Sequence, residues 1–412
     1  MEIIAPQFDA ASIQATVARL TLQQKLKRDF IYPAKALSFT DDGKIHLTAT
    51  QSFRAGDRSF LDFAEAEAYA DAADVKVEVE KGLPPIELST TATGQLLNTL
   101  GLPLKFRDRL TTAGHHDLYG HNVRELLARD ERRVLLRTLP NNDGSRLVCR
   151  AVLSDRYRMI DNADLFFAAA ETFMEEIESG KPRAQVWSAR LWDDGFEVFA
   201  FAPHISGAVT TDRTFDPGDG WRSRWYGNAG DVHNAAMRIS NSETGRGGCN
   251  VAAAIMRRVC ANYCVWGDKV TQVHLGKREA EDGLILSTET RRKEAELVWL
   301  KIKDAIRTVF DADRFQKLID KLNGITQQEI KPEAAVDAIV GAFEISEKRK
   351  ALILGNLLMS GDASRFGLVQ AVTDTSHALD RSGEAEEASR LEEIGGELVT
   401  MDDGKFAAMV GA

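Results

Sequence analysis

Guanidinium side chains cluster at three places in this sequence, at two of them together with aromatic rings. Arg150 precedes Arg156-Tyr157-Arg158, Trp221-Arg222-Ser223-Arg224-Trp225 forms a second run, and Arg246 precedes Arg257-Arg258. A guanidinium pairs with phosphate in a fixed fork, and an aromatic ring stacks on any base. The interleaving therefore suits a polyanionic, base-bearing strand. The same residue types also finish strands and seal loops, so a purely structural use stands beside this reading. The third place follows a short apolar run, 235–239, and the polar stretch Ser240-Asn241-Ser242-Glu243-Thr244-Gly245-Arg246-Gly247-Gly248. That stretch opens onto an Ala-rich, helix-permissive segment, which would put small residues, backbone N–H groups and guanidinium groups near an anion. As a nucleotide loop it fails in detail: it has no Gly-Lys-Ser/Thr, and Asn250 stands where a dinucleotide fingerprint needs its third glycine.

Other chemistry is thinner. Asp117 and His121, at i and i+4 on a helix, have the spacing of two metal ligands. His115 and His116 point elsewhere, and no HExxH or paired-Cys motif completes a site. With Asp155 and Glu243 these two form the acid–base or metal-ligand set of a conceivable enzyme. Cys260 and Cys264, with Cys249 nearby, make at most half a metal site, and with Cys149 they are too few and too unevenly spaced for a disulfide framework. Buried thiols are the expectation, and no cofactor is implied.

The elements that must position these residues follow from periodicity. Helices are predicted over 10–28, 60–74, from Ser89 to the break at Gly101-Leu102-Pro103, and over a following segment with Lys105, Arg107 and Arg109. Residues 146–160 read as a strand and turn, with Leu147, Cys149, Ala151 and Leu153 alternating against Val148, Arg150 and Val152. Asp161-Asn162 then caps an amphipathic helix. Two β-rich runs flank Asp193-Asp194-Gly195 as a hairpin, and a long Gly/Asp/Trp-rich connection occupies 204–232. From residue 288 onward the chain reads helical, ending in an acidic stretch after Gly383 that either folds or lies over a basic surface. The predicted class is α+β: an antiparallel sheet with helices packed on one face, and a mostly helical C-terminal region. The division is an N-terminal module at 1–88, a central core at 89–287 and a helical part at 288–412. The apolar face of the 288–310 helix serves either homo-oligomerisation or the internal core.

Length and composition allow two or three domains and a core without disulfides: 412 residues, 44% hydrophobic and 28% charged. No window approaches the ~20 apolar residues of a membrane span, and the start lacks a signal pattern, so a cytoplasmic setting is expected. The net charge of −10 is unevenly spread. Residues 101–150 carry ten Lys/Arg against six Asp/Glu, whereas 51–100 carry four against nine and 351–412 four against eleven. A basic middle thus lies between acidic flanks.

Three ordered blocks, RAVLSDRYRMIDNADLF, ISNSETGRGG and RRVCANYCV, resemble those of the phage- and plasmid-borne family called domain of unknown function 932. Arg150, Ser154, Asp155, Arg156 and Tyr157 match its first block, Ser240, Asn241, Ser242, Glu243 and Gly245 its second, and Arg258, Cys260 and Asn262 its third. The likeness spans roughly 90–310. Tyr263 stands where the family usually has a glycine after that asparagine. The resemblance implies a mobile-element setting and no catalytic residue. The expectation is a non-catalytic protein that binds nucleic acid, single-stranded DNA above all, and anneals strands or assists replication. Its contacts would be Arg150, Arg156, Tyr157, Arg158, Trp221, Arg222, Arg224, Trp225, Arg246, Arg257 and Arg258. The alternatives are a metal-dependent enzyme acting on nucleic acid or nucleotides, and a structural or host-interaction protein.

Overall fold

The computed structural model describes residues 10–47, 51–56, 58–60, 63–81, 85–141, 145–155, 157, 159–178, 184–192, 195–210, 231–257, 263–273 and 288–411. Two sheets carry the strands. The larger contains β1 (Arg28–Pro33), β2 (Leu37–Phe39), β3 (Lys44–Leu47), β4 (Gln51–Ala55), β5 (Arg58–Phe60), β6 (Val77–Lys81), β7 (Ile86–Leu88), β8 (Arg133–Pro140) and β9 (Leu147–Ser154). Their order is β2-β3-β7-β9-β8-β1-β5-β4-β6, with β1–β5 and β7–β9 parallel and the other pairs antiparallel. The smaller sheet is an antiparallel meander of β10 (Gln185–Leu191), β11 (Phe196–Val209), β12 (Asp231–Asn241), β13 (Cys249–Arg257) and β14 (Tyr263–Val273).

The helices before residue 180 are α1 (Ala10–Leu26), α2 (Phe63–Ala73), α3 (Thr90–Thr99), α4 (Leu104–Thr112), α5 (His116–Ala128) and α6 (Asn162–Glu178). Those after residue 287 are α7 (Thr288–Val309), α8 (Ala312–Ile325), α9 (Pro332–Ala342), α10 (Glu347–Ser360), α11 (Arg365–Arg381), α12 (Ala385–Thr400) and α13 (Asp403–Val410). The α+β class and the helical C-terminal region agree with the sequence reading. The β-structure is divided differently: two sheets replace one, and the larger is mixed. The boundary expected at residue 88 is also crossed, because β1 pairs with β8 and β7 with β9. Long-range strand pairing of this kind leaves no local trace in composition.

Period-two alternation sorts the larger sheet into a dry face and a charged one. Phe30, Tyr32, Val134, Leu136, Leu147 and Cys149 pack against Leu96, Leu97, Tyr119, Val123 and Leu127 from α3 and α5. Asp29 and Arg137, paired in register across β1 and β8, take the other face. The Ser89 side chain caps α3 by accepting from the Ala92 N–H, as its position before the Ser/Thr cluster predicts.

The smaller sheet is covered on both sides. Phe196, Val198, Met237, Ile239 and Val251 meet Leu20, Leu165, Ile302 and Ile306 from α1, α6 and α7. On the other face Phe199, Ala236, Ala252, Ala254 and Met256 are buried and Arg238 reaches Ser389 of α12, while Val209, Ala235 and Ile255 carry the first face on into the core of the C-terminal helices. The long apolar face of α7 is thus internal core, at Ile302, Ala305, Ile306 and Val309. Burial on both faces also corrects the Ala-rich segment 249–257, which is β13 rather than a helix. A strand between two covered faces has no polar alternation, and small residues let the covering helices approach. The acidic end of the chain folds: Leu391, Leu398 and Val399 of α12 are buried with Phe406 and Val410 of α13.

Candidate nucleic-acid interface

The first two sequence blocks meet where the two sheets abut. β9 contributes Arg150 and leads into the turn bearing Tyr157, while β12 runs into the turn 242–248. Arg150 Nη2 lies 2.8 Å from Glu243 Oε2, and the Tyr157 hydroxyl donates to the Ser242 carbonyl at 3.1 Å. Asn241 Nδ2 donates to the Ile160 carbonyl and to Asn162 Oδ1, both at 2.8 Å. From α3, Gln95 bridges the same two segments, donating to the Thr244 carbonyl and accepting from the Val152 N–H.

A β-bulge aims Arg150 into this junction. Arg137 pairs with Ala151 and Thr138 with Cys149, so Arg150 is the extra residue in β9. The bulge resets the alternation read from sequence: Leu147 and Cys149 face the α3–α5 core with Val152, not with Ala151 and Leu153.

Beneath the turns lies a closed set of charges. Lys27 Nζ is 2.6 Å from Glu243 Oε1 and 3.1 Å from Asp161 Oδ1. The Arg137 guanidinium, fully excluded from solvent, bonds Asp29 at 3.0 Å, Asp161, and the Glu243 carbonyl at 3.2 Å. With Arg150 the set holds three cations and three carboxylates, so the charge cancels, and Lys27, Arg137, Asp161 and Glu243 each meet more than one partner. Asp161 was expected to cap α6. Its carboxylate is taken by Gln24, Lys27 and Arg137 instead, and Glu243 Oε1 accepts the N–H of Asn162 at the helix start. A carboxylate brought from 81 residues away does the cap's work.

The electrostatics follow from this packing. Burial pushes both the Asp161 and Glu243 carboxyls upward. Arg137 and Lys27 around Asp161, and Lys27, Arg150 and Arg137 around Glu243, outweigh it and hold both below the usual carboxylate range. For Asp29 burial wins, and its carboxyl is raised despite Arg137. Burial also raises the Tyr157 phenol, and it pushes the Cys149 and Cys249 thiols up to about 12, so these free cysteines behave as small apolar groups.

Arg246 is different: it is exposed on the 242–248 turn. Gly245 before it has φ +74°, and a Cβ there would come within 2.7 Å of Leu153 Cδ2. The left-handed φ favours glycine here, and a larger residue would also have to push the end of the Leu153 side chain aside. Because a strand, β13, follows the turn, the helix expected to start there is absent, and the nearby start of α6 is already capped by Glu243. The helix-dipole part of the anion reading is overturned.

Of the predicted contacts, Arg150, Tyr157 and Arg246 come together. Arg150 spends its guanidinium on Glu243 rather than offering it to solvent. Arg257 sits at the far end of β13, eight residues from Cys249, or roughly 26 Å at ~3.3 Å per residue. It is buried and donates to Gln370 of α11 at 3.1 Å, so it belongs to the helical core rather than to a shared surface. Arg156, Arg158, Trp221, Arg222, Arg224, Trp225 and Arg258 lie outside the described residues. Asp117 and His121 are both exposed on α5, and among the described residues no group of three or more His, Cys, Asp or Glu is arranged to hold a metal.

Lys27, Asp29, Arg137 and Asp161 were not singled out as site residues by the sequence reading. Each is an ordinary charge in an ordinary element, and only their mutual distances set them apart. Among the described residues no helix is long and apolar enough to cross a membrane. No family model, curated protein or solved structure matches the chain.

Proposed function

We propose that this protein binds nucleic acid without catalysing a reaction, taking single-stranded DNA across the junction of the segment bearing Tyr157 with the turn 242–248, in the replication or recombination of a phage or plasmid. The reading is supported by one observation above the rest: two arginine-bearing sequence blocks are tied to each other by Tyr157–Ser242 and Arg150–Glu243, with Arg246 exposed on the turn they share. The neutral cluster beneath fixes the turns. A guanidinium on a turn held in one conformation loses little freedom when it pairs with phosphate. The mobile-element setting comes from the family resemblance.

The test is fluorescence anisotropy of the full chain with a labelled single-stranded oligonucleotide over a salt series. Affinity is expected to fall steeply with salt. Arg246→Ala is expected to weaken binding and to flatten the slope of log K against log salt by about 0.7, the share of one single-strand phosphate contact. Absence of binding at low salt, or binding indifferent to salt, overturns the proposal.

A further inference from the structure

The larger sheet ends on β6, at the edge remote from the paired turns. Among the described residues β6 is bonded on one side only, to β4, from Gln51↔Lys81 to Ala55↔Val77. Its other side presents a row of backbone donors and acceptors to whatever extended chain comes beside it. The two faces of β6 differ in chemistry. On one, Val77 packs against the cluster of Ala55, Phe60, Ala66 and Ala70, while Val79 is 55% exposed and Phe63 48% exposed. The Phe63 ring stands edge-on to Phe53 at 5.2 Å, and Phe53 is the register partner of Val79, so Phe53 carries an exposed apolar side chain on either side. On the other face Glu80 is held by Arg28 at 3.3 Å and Arg54 at 3.9 Å, and Glu78 is exposed, with no ion pair among the described residues. Residues 63–81 carry six carboxylates against two lysines.

We propose that β6 is a docking edge for an extended segment of another protein in which cationic and apolar side chains alternate. Strand addition supplies the main-chain bonds, an apolar side chain covers Val79 and Phe63, and a lysine or arginine on the opposite face meets Glu78. Charge argues against a second copy of this chain as the occupant. Antiparallel self-pairing centred on Val79 sets each Glu78 opposite a Glu80 and brings two acidic stretches together, and like charges directly opposite are destabilising. β6 carries the edge charges Glu78, Glu80 and Lys81, yet it leaves Val79 exposed between the two glutamates.

The experiment titrates the full chain against a short labelled peptide of alternating lysine and valine. The control has the same composition arranged as a lysine block followed by a valine block. Saturable binding of the alternating peptide, about tenfold tighter than the block peptide, is the expected result. Glu78→Lys and Val79→Lys should each weaken it about tenfold with an unchanged thermal midpoint, since both side chains are exposed. N-methylation of every second backbone nitrogen should abolish binding in one register and spare it in the other. Equal binding of alternating and block peptides, indifference to Glu78→Lys, or equal binding of both methylated registers overturns strand addition. Sedimentation showing a dimer that Glu78→Lys changes would assign the edge to a second copy and overturn the proposal equally.

Discussion

At the scale of single residues, Glu243 has the most to lose. It neutralises buried Lys27 and half-buried Arg150 and receives the Asn162 N–H. Glu243→Gln leaves both cations short of a counter-charge, a change that costs about 3–5 kcal/mol when one partner of a buried pair is removed. Equilibrium urea unfolding measures it as a lower midpoint at unchanged slope. The same residues set the acid limit. Asp161 and Glu243 have folded values below their unfolded ones, so their stabilisation is present above about pH 4 and is lost as pH falls through the folded values. Asp29 and Glu197 have raised values and act with the opposite sign. Their contribution is present below the unfolded value and is lost as pH rises through the folded one. Stability measured from pH 6 downward should therefore fall below about pH 4. Asp161→Asn should flatten that fall, and an unchanged acid slope in this variant would mean that other carboxylates set the limit.

At the scale of elements, two local irregularities make the paired turns possible. The β9 bulge directs Arg150 toward Glu243, and the positive φ of Gly245 lets the 242–248 turn lie against Leu153. Gly245→Ala meets both a backbone penalty and a contact of 2.7 Å. The expected loss is about 1–3 kcal/mol. If Arg246 acts in the position set by this turn, the same variant should also weaken single-strand binding when both proteins are compared well below their melting temperatures. Retained stability with full binding would show that the turn adapts and that its seat on β9 is not needed.

At the scale of the whole molecule, the smaller sheet joins the two halves through a second buried network. Arg190 of β10 donates to Glu392 of α12 at 2.9 Å and forms an ion pair with Asp380 of α11 at 2.9 Å. Arg238 of β12 reaches Glu197 at 3.2 Å and also Glu393. The acidic C-terminal stretch is thus used in part as counter-charge for the sheet, which is why it folds there. Arg190→Ala leaves Glu392 buried with one cation fewer. Hydrogen exchange should then rise in α11 and α12, while β1, β8 and α5, which lie in a separate core, keep their protection. Uniform loss of protection across both sheets would mean that the molecule opens as one unit.

Much of the architecture was legible in the sequence because it is written locally. Ser89 capping α3, the β10–β11 hairpin at Gly195, the periodicity of α7 and the helical run after 288 depend on residues within a few positions of each other. The α+β class follows from these. The Ala-rich 249–257 segment was misread because alanine favours a helix when considered alone, and only burial on both faces selects β13. The arginines show the same division. Sequence determined that cations and aromatic rings cluster in blocks. Tertiary structure decided that Arg150 is neutralised by a carboxylate 93 residues away and that Arg257 is buried at the far end of its strand. It also decided that Arg246 stays at the surface. Whether a charge faces solvent or a counter-ion depends on distances between segments remote in the chain, and composition and spacing carry no record of those distances.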